Sequence, residues 1–131
     1  MKVFGIVMAA IALAAQPSAE SSSDALIGKW KADYEMEGEA FRVVYEFTLA
    51  NGQLVGYARS MQDARDEEST NTLVMDNIVF LDGRGTANYS IDYEGERYEV
   101  EATLELTRPD RLTVRYSYYG YAEEEVWHKM K

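Results

Sequence analysis

Residues 97–119 contain two runs in which apolar and polar side chains alternate. A period of two puts every second side chain on one face, which is typical of a half-buried β-strand and not of a helix. Pairing the two apolar faces sets the register as Leu106 opposite Leu112, Leu104 opposite Val114, Ala102 opposite Tyr116 and Val100 opposite Tyr118. Only a connection with an odd number of residues allows this register. We therefore predict an antiparallel hairpin closed by the three residues Arg108-Pro109-Asp110.

Turn signals between other alternating runs indicate further hairpins. Asn51-Gly52 is the strongest, because both central residues of a type I′ turn have positive φ. It predicts the pairs Leu49 with Leu54, Phe47 with Gly56, Tyr45 with Ala58 and Val43 with Ser60. A turn at Gly95-Glu96 pairs Tyr93 with Tyr98 and Tyr89 with Ala102. Asp76-Asn77 indicates another hairpin, and the polar residues 62–71 indicate a solvated loop.

The pattern as a whole contains about eight to nine strands with short connections. We predict an all-β fold, a single antiparallel up-and-down β-barrel in which no strand edge is left exposed. A two-layer sandwich is the alternative. The barrel is preferred because no connection is long enough for the crossover of a Greek key. A chain of 131 residues supplies one such domain and too little for two.

Residues 1–19 consist of Lys2, a short apolar run and small residues, which is typical of a cleaved secretory signal peptide. An N-terminal membrane anchor or a buried helix is the alternative interpretation. Residues 20–26 are a polar, flexible spacer, and residues 27–131 are the barrel domain. We expect a periplasmic or secreted bacterial protein with no stable membrane association after cleavage. The chain has no Cys, so it is not a lipoprotein and has no disulfide.

Three short motifs resemble those of a known family: Gly28-Lys29-Trp30, the hairpin at residues 51–56, and Val126-Trp127-His128-Lys129. They are similar to the small bacterial lipocalin-like (calycin-type) barrels. The resemblance implies a barrel whose interior can hold a small apolar molecule, without indicating which one. The two disulfide-forming positions that are common in secreted animal lipocalins are absent.

Tyrosine is the unusual component of the composition, with ten in the chain. Tyr combines an apolar ring with a hydroxyl that needs a partner, so it suits a half-wet barrel rim. On the predicted registers five of them face inward and form a candidate ligand site: Tyr89, Tyr93, Tyr98, Tyr116 and Tyr118. Four turns could share one end of the barrel: Asn51-Gly52, Asp76-Asn77, Gly95-Glu96 and Tyr119-Gly120. If they do, Tyr93, Tyr98 and Tyr118 cluster at that end. Simple filling of the core and rim is the alternative.

The run Glu123-Glu124-Glu125 lies in the last predicted strand, where neighbouring side chains point to opposite faces. A three-residue closure at residues 119–121 turns Glu124 inward and pairs Arg115 with Glu125. A two-residue closure turns the other two glutamates inward. We favour the first for its Arg115 pair, and predict Glu124 as the polar anchor of a ligand. A solvated barrel mouth is the alternative.

The remaining composition argues against several functions. A formal charge of −10 repels nucleic acid and anionic lipid. The single histidine and the lack of Cys exclude a His/Cys metal site, and they indicate no catalytic group or cofactor. Acidic residues at 63, 66, 67 and 68 match no calcium-loop spacing. We expect a non-enzymatic binding protein for a small apolar or aromatic ligand. The alternative is a protein-interaction or inhibitor domain that meets a basic partner through its acidic rim and the loop at residues 62–71.

Overall fold

The computed structural model describes residues 24–131, except for the side chain of Tyr93. The predicted signal peptide and the first part of the spacer lie outside these residues. Eight antiparallel strands close in sequence order into one up-and-down barrel, with β1 beside β8, which confirms the predicted fold. They are β1 Gly28–Met36, β2 Glu39–Ala50, β3 Gln53–Asp63, β4 Glu67–Leu81, β5 Arg84–Tyr93, β6 Glu96–Arg108, β7 Arg111–Tyr118 and β8 Tyr121–Lys129.

The hairpin of β6 and β7 has the predicted facing pairs Leu104 with Val114 and Leu106 with Leu112. The predicted three-residue connection is wrong, because Arg108 pairs with Arg111 and only Pro109-Asp110 form the turn. A bulge between Leu106 and Arg108 supplies the odd residue. The requirement that apolar faces meet is therefore satisfied by a bulge and not by a longer loop.

The Asn51-Gly52 turn forms as predicted, with φ values of 53° and 79°. The three predicted pairs nearest the turn are present, down to Tyr45 with Ala58. The fourth pair is wrong. A register shift after Tyr45 places Val43 opposite Met61 instead of Ser60, because β3 carries one extra residue at this point.

The region of β4 differs most from the sequence prediction. Residues 62–71 are not a loop, since β3 runs to Asp63 and β4 begins at Glu67. The connection is kept short because the carboxylate of Asp63 accepts hydrogen bonds from the backbone N–H groups of Arg65 and Asp66, at 2.9 and 2.8 Å. The hairpin predicted at Asp76-Asn77 is also wrong. Asn77 has a φ of 50° within a continuous but irregular β4, and the chain turns at Asp82-Gly83 instead.

The turn between β5 and β6 is Glu94-Gly95 and not Gly95-Glu96, with φ values of 53° and 81°. Moving the turn by one residue shifts the register by two, so Tyr89 lies opposite Val100 and Ile91 opposite Tyr98. A shift of two keeps each side chain on its predicted face. The predicted partners are wrong, whereas the described side chains of β5 and β6 lie on their predicted faces.

The two ends of the barrel differ. The turns at Glu37-Gly38, residues 64–66, Glu94-Gly95 and Tyr119-Gly120 lie at one end, which we call the mouth. Because successive turns alternate between ends, Asn51-Gly52 lies at the other, contrary to the prediction. At that closed end Leu26 and Trp30 are fully buried, and the indole N–H of Trp30 donates to the carbonyl of Leu26 at 2.9 Å. Within residues 24–131, no helix has the length and apolarity needed to cross a membrane.

Candidate functional site

The orientation of the three consecutive glutamates follows from the last hairpin. Tyr119-Gly120 form a two-residue turn, with φ values of 46° and 82°. Tyr116 therefore lies opposite Glu123 and Val114 opposite Glu125, which puts both glutamates on the inner face. The prediction that Glu124 faces inward is wrong. Its carboxylate is exposed and lies 2.9 Å from Nε of Arg115, so the ion pair that was expected for Glu125 is formed by its neighbour.

The half-buried Glu125 carboxylate is the centre of a hydrogen-bonded cluster. Four donors from four strands reach it. Its Oε1 accepts hydrogen bonds from the hydroxyls of Tyr34 at 2.6 Å and Tyr89 at 3.0 Å, and from the indole N–H of Trp127 at 3.0 Å. Its Oε2 accepts a hydrogen bond from the hydroxyl of Tyr116 at 2.5 Å. The Tyr45 hydroxyl extends the cluster, 2.6 Å from that of Tyr34. Hydrogen bonds to an ionised acceptor are the strong class of hydrogen bond in proteins. We call these six residues the Glu125 cluster.

The hydroxyls of the Glu125 cluster are held in their neutral, donating form. Burial, followed by the negative charge of Glu125, raises the pKa of Tyr45 and of Tyr116. Burial also raises the pKa of Tyr34 and of Tyr89, to which neighbouring tyrosines and Glu125 add in the same direction. Among the described residues, no buried side-chain nitrogen or oxygen lacks a hydrogen-bond partner. The cluster is therefore internally satisfied.

Aromatic rings fill the barrel between the Glu125 cluster and the closed end. Tyr45 stacks on Trp127 with ring centroids 3.8 Å apart, and the rings of Phe47 and Tyr89 pack against the same indole at 5.8 and 6.1 Å. Trp30 contacts Phe47 edge to face at 6.4 Å. Large rings in contact at these distances occupy the space that a ligand would need.

A space that can hold a ligand lies at the mouth, between β1 and β4. A cavity of about 500 Å³ opens there. Its wall combines exposed apolar surface with carboxylates, and its lining residues are Met36, Glu37, Glu39, Ala40, Phe41, Met61, Asp63, Asp66 and Glu68. We call it the mouth cavity. This cavity is not predicted from the sequence, because the predicted loop at residues 62–71 and the predicted pairs bring neither Met36 nor Met61 to a common site. The sequence does contain a signal for this cavity, since Met36 and Met61 each stand between polar residues, as inward-facing strand residues do.

Four of the five tyrosines of the predicted site have described side chains, and these four fall into two places. Tyr89 and Tyr116 belong to the Glu125 cluster, and their ring centroids are 5.3 Å apart. Tyr98 and Tyr118 lie at the mouth on the side of β6 to β8, where both pack against Tyr119, at 5.5 and 6.4 Å. Hydrogen bonds with Tyr119 and Glu96 raise the pKa of Tyr98 to about 12. The side chain of Tyr93 is outside the described part of the structure.

Neither a metal site nor a known relative accounts for these features. In the described part of the chain, no group of three His, Cys, Asp or Glu side chains is arranged to hold a metal ion. Comparisons with family models, with curated proteins and with solved structures find no match to this chain. Any functional assignment therefore rests on the geometry of the barrel itself.

Proposed function

We propose that this protein is an exported binding protein that holds a small ligand, with a positive charge and an apolar part, in the mouth cavity. The observation that carries the proposal is the composition of that cavity, in which five carboxylates surround exposed methionine and phenylalanine surface. Its volume of about 500 Å³ lies within the range of small-molecule sites. A ligand seated there needs no rearrangement of the filled interior below it.

The charge of the mouth cavity supports a cationic ligand. The carboxylate of Asp63 accepts backbone hydrogen bonds from Arg65 and Asp66, which lowers its pKa and keeps it ionised. The side chain of Arg65 approaches the cavity carboxylates, at 3.8 Å from Glu39, but both groups are highly exposed. An excess of one sign of charge in a concave site concentrates ligands of the opposite sign and weakens with added salt.

The apolar part of the ligand is argued from the exposed side chains in the same cavity. Met36 is 63% exposed and Met61 is 42% exposed, and Phe41 is half-buried between them and the core. Methionine is flexible and adapts to ligands of different shape. Each methylene that a ligand buries there contributes about 0.8 kcal/mol, so four would add about 3 kcal/mol, or roughly a factor of 200 in affinity.

Compared with the sequence-based expectation, the ligand remains small and partly apolar, but it gains a positive charge and its site moves from the tyrosine-lined interior to the mouth cavity. A lipocalin-like barrel, the family that the sequence motifs resemble, takes its ligand through an open end, and the closed eight-stranded barrel is consistent with that mode. Tyr98 and Tyr118 line the opposite side of the mouth, where tyrosine rings can attract a cationic group. The signal-like pattern of residues 1–19 supports export.

The test is calorimetric titration with two probes of equal chain length, decyltrimethylammonium and decyl sulfate, below their micellar concentrations. We expect the cation to bind at least about tenfold more tightly than the anion, a preference that falls as salt is added. The double variant Glu39→Gln with Glu68→Gln should weaken cation binding several-fold. The matched control is Glu99→Gln with Glu101→Gln, which removes two exposed charges outside the cavity lining. Equal affinity for both probes, or equal effects of the two double variants, would contradict the proposal.

A further inference from the structure

The strands β1 and β8 close the barrel over only part of their length. Trp30 pairs with Lys129 and Lys31 with His128, both near the closed end. Towards the mouth, β1 continues to Met36 and β8 begins at Tyr121, yet no register pair between described residues joins the two strands there. We call this opening the seam. A cavity of about 270 Å³ lies in it, lined by Ala32, Asp33, Tyr34, Glu124, Glu125, Val126 and His128.

An open seam is unusual in a closed barrel. Closure normally removes strand edges, because each edge presents a row of N–H and C=O groups that can pair with another chain. Here residues 33–36 are paired with β2 on one side, and residues 121–126 with β7, so each segment has one edge turned towards the seam. Such edges are templates for an added strand, in the binding mode known as β-augmentation.

The charges along the seam determine which kind of strand can bind there. Asp33 and Glu35 lie on β1, and Glu123, Glu124 and Glu125 lie on β8. Facing basic side chains include Lys31 and His128 at the closed end. Arg42 and Arg115 form ion pairs with Asp33 and Glu124 on the outside. The carboxylates outnumber the cations at the open part of the seam. A second copy of this acidic chain is therefore disfavoured, whereas a basic strand is attracted.

We propose that the seam binds an extended, basic segment of a partner protein as an additional strand. Because successive side chains of a strand point to opposite faces, the two faces of the bound segment meet different parts of the barrel and require different residue types. Side chains on the outer face meet the exposed carboxylate of Glu35, next to the ion-paired Asp33, so these positions are Lys or Arg. Side chains on the inner face meet the Tyr34 hydroxyl and Glu125, so these positions are small or hydroxylated. This site is separate from the mouth cavity and does not depend on the small ligand proposed for it.

The test uses the protein and two octapeptides of alternating lysine and threonine, one unmodified and one N-methylated at alternate residues. N-methylation removes backbone donors and keeps the charge. We expect the unmodified peptide to slow hydrogen exchange of amides in residues 33–36 and 121–126 by about tenfold or more, and to bind at least about tenfold more tightly than its methylated counterpart.

Protein variants separate the seam from general charge attraction. Glu35→Gln should weaken peptide binding several-fold, and Glu101→Gln, which removes an exposed charge away from the seam, should leave it nearly unchanged. Equal binding of both peptides would mean attraction by charge alone and would overturn the proposal. Lack of binding, or protection confined to other strands, would overturn it as well. The decyl probes test the mouth cavity, so their result is independent of this one.

Discussion

Replacement of Glu125 by alanine should destabilise the barrel far more than the same replacement of its neighbour Glu124. The change removes the acceptor of four hydrogen bonds. Tyr34 and Tyr116 are half-buried and can turn towards water, whereas Tyr89 is 3% exposed and Trp127 is 1% exposed. Each buried donor left without a partner costs about 1–3 kcal/mol, so these two give about 2–6 kcal/mol.

Removal of a partly buried charge offsets some of this cost. We therefore expect a net loss of about 2–4 kcal/mol for Glu125→Ala. Glu125→Gln retains one acceptor oxygen and should cost less than Glu125→Ala. The control Glu124→Ala breaks an exposed ion pair with Arg115, and exposed pairs contribute about 0–1 kcal/mol.

Urea unfolding at about pH 7, followed by circular dichroism, measures these differences. The slope with denaturant should be the same in all variants, so that the midpoints report stability. Equal losses for Glu125→Ala and Glu124→Ala would refute the assignment of Glu125 as the buried acceptor.

Two further predictions follow from burial and close contact. The raised pKa values of Tyr34, Tyr45, Tyr89 and Tyr116 contribute stability that is fully present below about pH 10, where tyrosine ionises in the unfolded chain, and that is lost progressively above it. Absorbance at 295 nm should therefore show these four of the ten tyrosines ionising only as the circular dichroism of the barrel is lost; ionisation of all ten in the folded state would contradict this. Gly85→Ala should cost about 2–4 kcal/mol in urea unfolding, because its Cβ would lie 2.8 Å from the backbone Cα of Phe80 and nearer still to the carbonyl of Val79. In Gly56→Ala the nearest atoms to the new Cβ belong to the side chains of Met75 and Phe47, at 3.2 Å, and the cost should be about 1–2 kcal/mol. A larger loss for Gly56→Ala than for Gly85→Ala would contradict these contacts.

The faces of the strands could be predicted from sequence because alternation is a local property. Tyr89, Leu104 and Val114 lie inside as expected, even where the turn was misplaced by one residue. Bulges are not visible in the same pattern. The extra residues near Thr107 and Arg59 changed the register without changing the polarity of the flanking runs.

The orientation of Glu124 and Glu125 could have been predicted from a turn pattern that recurs in the sequence. Five turns of the barrel consist of a residue with positive φ followed by glycine: Glu37-Gly38, Asn51-Gly52, Asp82-Gly83, Glu94-Gly95 and Tyr119-Gly120. Reading the last of these as another two-residue turn puts Glu125 inside. The Glu125 cluster itself was beyond sequence reasoning, because its donors come from β1, β5, β7 and β8 and meet only when the barrel closes.

The most direct test of the proposed function is methyl NMR of the protein labelled at methionine, titrated with decyltrimethylammonium. Met36 and Met61 line the mouth cavity, Met75 is buried in the core at 1% exposure, and Met130 follows β8 at the closed end. We expect the first two methyl signals to shift together and saturate with one dissociation constant, while the signals of Met75 and Met130 stay in place. Shifts of Met130 without Met36 and Met61, or linear shifts of all four without saturation, would contradict a ligand site in the mouth cavity.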